Sequence, residues 1–156
     1  RSMNAVDDQT TPRDRLRDWL QRHDHELAEQ AVADIEGDDG LRDAAQHAVS
    51  ATQLRGLLNT AKVCSRPDLE EYIGKRQERR QDTDADEAAF WEALLQALGD
   101  LDELSEAAAS ACGADATTPQ SVREGRVDER TVRTLIGRRY LSHFVAHCQY
   151  LQTLDQ

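Results

Sequence analysis

Apolar side chains recur along this chain at three- and four-residue intervals and almost nowhere alternate with polar ones. That period belongs to the 3.6-residue turn of an α-helix and not to the two-residue pleat of a strand. Leu16, Leu20, His23, Leu27 and Ala31 make one stripe, and Leu54, Leu57, Leu58 and Ala61 a second. Leu69, Tyr72 and Ile73 make a third, and Phe90, Trp91, Leu94, Leu95, Leu98 and Leu101 a fourth. Ile136, Tyr140, Phe144, His147 and Leu151 complete the set. A single amphipathic helix is marginal in water, so each stripe must pack against another. The expectation is an all-α, single-domain bundle of about five to six helices over residues 11–156. Its shared core is expected to hold Trp19, Leu54, Leu58, Trp91, Leu94, Leu98, Tyr140 and Phe144. A chain of 156 residues is long enough for one such core and short for two.

Local signals place the helix ends. Thr11 before Pro12 reads as an N-cap with proline at the first helical position, opening a helix that runs to about Glu36. Gly37-Asp38-Asp39-Gly40 is a turn, followed by a short segment from Leu41 to about Ala48. Ser50 and Gln53 form a capping box. Pro67 starts a helix to about Arg80, and Asp84, Asp86 and Glu87 crowd the first turn of another whose pattern continues toward Cys112. Residues 113–127, with Gly113, Pro119 and Gly125, read as a long connection with room for one turn of helix after Thr118-Pro119. Asp128 caps a last helix that reaches about Thr153. Arg1-Ser2 ahead of Met3 reads as a cloning remnant on a disordered N-terminus spanning residues 1–10.

The sequence offers little for catalysis. His143 and His147 stand one helical turn apart beside Cys148, and His23 and His25 form an H-x-H, but tetrahedral zinc requires three or four ligands. Phe144 occupies the position that a zinc-protease helix gives to glutamate. No G-x-S-x-G, Walker-type or dinucleotide-type glycine loop is present. Asp82, Asp84, Asp86 and Glu87 lack the glycine and terminal glutamate of an EF-hand. A non-enzyme without cofactor or metal is the expectation. No apolar run reaches 18 residues, so no membrane span is expected. Three cysteines in unpaired spacing argue against a disulfide framework, and with no apolar N-terminal leader they suit a reducing cytoplasm.

Charge is informative because it is segregated. The net charge is −11, yet residues 51–80 hold seven basic and four acidic groups, whereas residues 81–120 hold ten acidic and no basic ones. Residues 121–156 are again mildly basic. Arg55, Lys62 and Arg66 stand at i, i+7 and i+11, which aligns them in one row if a single helix carries all three. Lys75, Arg76, Arg79 and Arg80 follow on the next helix, and Arg138-Arg139 on the last. Such rows suit the successive phosphates of a nucleic-acid backbone, and arginine's planar fork suits phosphate. Too few aromatics are present to stack bases. The competing explanation is that these cations pair with the 30 carboxylates of the same chain.

Three segments carry a resemblance. Val49-Ser50-Ala51-Thr52-Gln53-Leu54-Arg55 resembles the helix start of the small α-helical subunit of type III (Csm-type) CRISPR effector complexes. Leu69 with Tyr72-Ile73-Gly74-Lys75-Arg76 is similar to that family's Leu…Tyr-Leu-Ala-Gly-Arg stretch. Phe144-Val145-Ala146-His147 with Tyr150 is similar to its closing helix, with His147 where tyrosine is usual. The resemblance covers roughly residues 46–156, with the segments in the family's order. It implies a non-catalytic helical bundle, present in several copies among the other subunits of a guide-RNA ribonucleoprotein. It further implies that the bundle lines the groove holding the guide–target RNA duplex through basic side chains on phosphates. Arg55 and Arg76 fall on the family's motif arginines; Lys62, Arg66, Lys75, Arg79, Arg80, Arg138 and Arg139 come from the charge pattern alone. A helical protein–protein adaptor without a nucleic-acid role is the alternative, favoured by the acidic stretch 81–120.

Overall fold

The computed structural model describes residues 11–113 and 127–155. They form α1 (Pro12–Glu36), α2 (Asp39–His47), α3 (Ala51–Val63), α4 (Arg66–Arg80), α5 (Ala85–Gly99), α6 (Asp102–Cys112) and α7 (Glu129–Thr153). No β-strand occurs among the described residues, so the chain is an all-α bundle.

The helix starts follow the capping residues. Thr11 accepts from the Asp14 amide at 3.1 Å while Asp14 reaches back to the Thr11 amide at 3.4 Å. Ser50 and Gln53 repeat this reciprocal pattern at 3.1 and 2.8 Å. Asp38, Asp84 and Asp128 cap α2, α5 and α7 through their carboxylates. Each satisfies an orphan N–H and places negative charge at the positive helix end.

α7 is the central strut. It runs parallel to α1, since Arg139 reaches Asp24 near the middle of α1 and His147 reaches Glu36 at its end. It runs antiparallel to α3, since Arg138 reaches the Ala61 carbonyl and Gln152 the Val49 carbonyl. α4 and α5 form a closely packed pair beside it, and α6 lies between α1 and α7. Phe90, Trp91, Tyr140 and Phe144 are fully buried at the centre. Phe144 lies 5.8 Å from both Phe90 and Tyr140, ring to ring. The Tyr140 hydroxyl, inside this core, donates to Asp34 at 2.6 Å. Trp19, Leu54, Leu94 and Leu98 join the core as expected, while Leu58 packs against it only half-buried.

Three sequence expectations change. The helix expected from Asp84 toward Cys112 is broken at Asp100-Leu101, where the Leu101 amide bonds the Leu98 carbonyl three residues back at 3.2 Å in place of the i−4 partner. Gly99 and Asp100 are both poor helix-interior residues, which is the local reason. His147 sits at the rim and not in the buried stripe; its Nε2 meets Glu36 at 2.9 Å. His23 is also half-exposed, stacked on Trp19 at 4.0 Å. The expected turn of helix after Thr118-Pro119 and the N-terminal residues 1–10 lie outside the described residues.

Candidate nucleic-acid interface

The row of Arg55, Lys62 and Arg66 does not form. α3 ends at Val63, Cys64 is extended (φ −101°, ψ 149°), and Arg66 opens a separate helix. The proline ring of Pro67 is tolerated in the first turn of a helix but not in its interior, so α3 cannot run on into α4. Arg66 is also buried, at 3% exposure. Its guanidinium donates to the Leu98 carbonyl and lies 3.6 Å from Asp102 and 3.8 Å from Glu70. Desolvation lowers its pKa, with Glu70 and Asp102 opposing that shift. Arg66 ties the starts of α4 and α6 to the end of α5, and it presents no group to a phosphate.

Arg55 and Lys62 do share an exposed side of α3, two turns or about 10 Å apart. Arg55 makes only a 3.4 Å contact with Thr52, and Lys62 has no ion pair among the described residues. On α4, the Tyr72 hydroxyl lies against Gly56 of α3. Arg76 and Arg79 stand at i+4 and i+7 from Tyr72, on the same flank. Arg76 covers the Tyr72 ring at 4.8 Å and approaches Trp91 at 5.8 Å. Arg79 is exposed, without an ion pair or hydrogen bond among the described residues. Lys75 pairs with Glu71 at 3.1 Å, and Arg80 with the buried Glu87 at 3.2 Å. Glu87 also receives Gln53 and the Trp91 indole N–H at 3.0 and 3.1 Å, so Arg80 completes a structural network linking α3, α4 and α5.

Arg138 caps the last turn of α3 by donating to the carbonyls of Ala61 (2.7 Å) and Cys64 (3.3 Å). Arg139 pairs with Asp24 at 3.2 Å, where His143 also binds at 2.9 Å. The hydrogen bond from His143 holds the Asp24 carboxyl below its usual range, and His147 does the same for Glu36. The two histidines one turn apart thus act as clasps between α7 and α1. Among the described residues no group of three or more His, Cys, Asp or Glu is placed to hold a metal. Burial pushes the Cys148 thiol up to about 12 and raises Cys112 as well, so neither carries a reactive thiolate.

Of the nine expected contacts, Arg55 and Lys62 thus share one side of α3, and Arg76 and Arg79 the Tyr72 side of the neighbouring α4, together called the α3–α4 flank; Lys62 also borders, with Arg138 and Arg139, a cleft between α1, α3 and α7. Charge counting missed Arg13 and Arg17, which border an adjoining cleft. They lie in a segment that is acidic overall, and only the packing of α1 on α7 brings them to this side. Other acids of the α5–α6 segment lie elsewhere: Asp100 and Glu103, with Glu26 of α1, surround a separate cleft between α1 and α6. No described helix is long and apolar enough to cross a membrane.

No family model matches the chain, no curated protein matches its sequence, and no solved structure matches its fold.

Proposed function

We propose that this chain is a non-catalytic helical subunit of a guide-RNA-directed ribonucleoprotein, of the kind it resembles in type III CRISPR effector complexes. In this reading it contacts the phosphate backbone of the guide–target RNA duplex through Arg55, Lys62, Arg76 and Arg79. The observation that supports the reading is the state of the α3–α4 flank. Arg55, Lys62 and Arg79 are exposed there without a carboxylate partner among the described residues, in a chain with 30 acidic groups. Unneutralised cations on neighbouring helices are what backbone binding requires, and neither helix carries an exposed aromatic platform for reading bases.

The test is target-RNA affinity of the reconstituted complex across a salt series, with Arg55→Ala and Glu103→Ala compared with the parent. Arg55→Ala is expected to weaken binding alike for all target sequences and to lower the slope of log affinity on log salt by about 0.7–0.9. Glu103→Ala is expected to change neither. An unchanged slope for Arg55→Ala refutes the reading. Loss of assembly in the absence of RNA would instead assign Arg55 to a protein contact. That outcome belongs to the adaptor reading, which the internal pairing of Lys75, Arg80 and Arg139 favours.

A further inference from the structure

Two adjoining clefts run along the seam between α1 and α7 and share Leu20 and Leu135. They measure about 330 and 370 Å³. The half-buried Leu58 and Leu135, above the buried Leu16 and Leu20, supply an apolar floor, and Arg13, Arg17, Lys62, Arg138 and Arg139 stand at the edges. No carboxylate among the described residues lines either cleft. From Thr131 to Ser142 the α7 side extends about 16 Å, three turns of helix.

We propose that this groove docks an acidic amphipathic helix from a protein partner. Apolar side chains of the partner at i, i+3 or i+4, and i+7 would cover the leucine floor, and flanking carboxylates would meet the basic edges on both sides. The charge needed is present. Arg138 spends its N–H groups on carbonyls, which leaves its positive charge uncancelled. Lys62 has no carboxylate within reach among the described residues, and Arg17 has only an exposed pair with Asp14 at 3.7 Å. Arg139 is offset by Asp24. A leucine floor gives phosphates nothing to bind, which distinguishes this groove from the α3–α4 flank; Lys62 alone stands where the two meet. The inference goes beyond the RNA reading and does not depend on it.

The probe is a fluorescent helical peptide of about 15 residues with leucine on one face and glutamate on the other, titrated by anisotropy against the full chain. Saturable binding is expected, strongest at low salt, with a lysine–leucine peptide failing to compete. Arg13→Glu combined with Arg17→Glu, both at the groove and neither on the α3–α4 flank, is expected to weaken binding about tenfold or more. Leu135→Ala is expected to weaken it several-fold with little change in salt dependence. Lys75→Glu with Arg79→Glu makes the same charge change on α4 and should leave peptide affinity intact while weakening RNA binding by the assembled complex. Far-UV circular dichroism confirms that each variant is folded. The proposal is overturned if the peptide does not bind, if the groove variants bind it as the parent does, or if an RNA oligonucleotide displaces it. It is also overturned if the chain self-associates and the double groove variant is monomeric, because the occupant is then a second copy.

Discussion

Arg66 separates a charge that serves function from one that serves packing, and Arg66→Met is the substitution that exposes the difference. The guanidinium is buried among α4, α5 and α7, with its Nε and Nη1 groups lacking hydrogen-bond partners. Each orphaned buried donor costs about 1–3 kcal/mol. Against this stand one charge-assisted bond to the Leu98 carbonyl, worth about 1.5–3 kcal/mol, and two long ion pairs. The acids in those pairs, Glu70 and Asp102, are nearly half-exposed, so each pair contributes about 1 kcal/mol or less. Little is stranded by the change. The Leu98 carbonyl still receives the Leu101 amide at 3.2 Å, Asp102 keeps Arg133 at 2.5 Å, and Glu70 faces water. Methionine fills much of the arginine stem's volume. The expected effect is within about 1–2 kcal/mol of neutral, on the stabilising side if the orphaned donors dominate. Arg66→Ala, which also opens a cavity, should cost about 2–4 kcal/mol. Urea unfolding followed by circular dichroism measures both. A loss above about 3 kcal/mol for Arg66→Met refutes the account. So does a change in the salt slope of RNA binding, because a buried group contacts no phosphate.

Phe144→Ala is expected to cost about 3–5 kcal/mol, because the ring is fully buried against Phe90 and Tyr140; a cost under about 1 kcal/mol in denaturant unfolding would place it outside the core. Gly74→Ala should stabilise by about 0.5–1 kcal/mol in thermal unfolding, since a β-carbon there meets no atom within 4 Å and glycine disfavours a helix interior. Asp24 and Glu36 have depressed carboxyl pKa values, through His143 and His147 respectively. They therefore contribute stability above the ordinary carboxyl range near about pH 4, and lose it as pH falls through the depressed values. Asp24→Asn with Glu36→Gln should thus destabilise at neutral pH, with the gap to the parent closing in acid; a gap independent of pH across an unfolding series contradicts the clasps.

Periodicity was a reliable guide wherever one helix face meets the core, and caps were reliable wherever a Ser, Thr or Asp precedes an apolar run. Thr11, Ser50 and Asp128 each sit where local chemistry alone selects the helix start. Helix continuity was harder to read. The Leu98-to-Leu101 spacing keeps the helical period across a break, because Leu101 remains buried after the chain turns. Between Lys62 and Arg66 the sign was present in Pro67, which opens a separate helix and takes Arg66 out of the row. Site residues were the least legible, because the sequence counts a cation without its partner. Arg80 looks equivalent to Arg79 until Glu87, seven residues further on, is found folded back on it. Arg13 and Arg17 look like members of an acidic segment until α7 packs beside them.

The 17 arginines and two lysines of the chain bear on the size of any RNA contact. Arginine can bridge several acceptors at once, and here it does so between helices. Arg66, Arg80, Arg138, Arg139, Arg42 and Arg133 all hold carbonyls or carboxylates of other elements. Much of the positive charge therefore holds the bundle together and is unavailable to phosphate. Were all nine expected residues to bind, one copy would contribute about 6 or more to the slope of log affinity on log salt; four on the α3–α4 flank would contribute about 3. With a net charge of −11 opposing approach, four contacts do not hold the isolated chain on RNA at moderate salt. In the proposed function, binding therefore comes from neighbours that fix the subunit in place and raise the effective concentration of its few free cations. Substituting Arg55, Lys62, Arg76 and Arg79 together by alanine should therefore lower the slope of the complex by about 3 per copy, while the free chain shows no measurable RNA binding before or after. A free chain that binds RNA tightly at moderate salt, or a quadruple variant whose copies each still contribute about 3 or more to the slope, would mean that cations now assigned to packing reach the backbone.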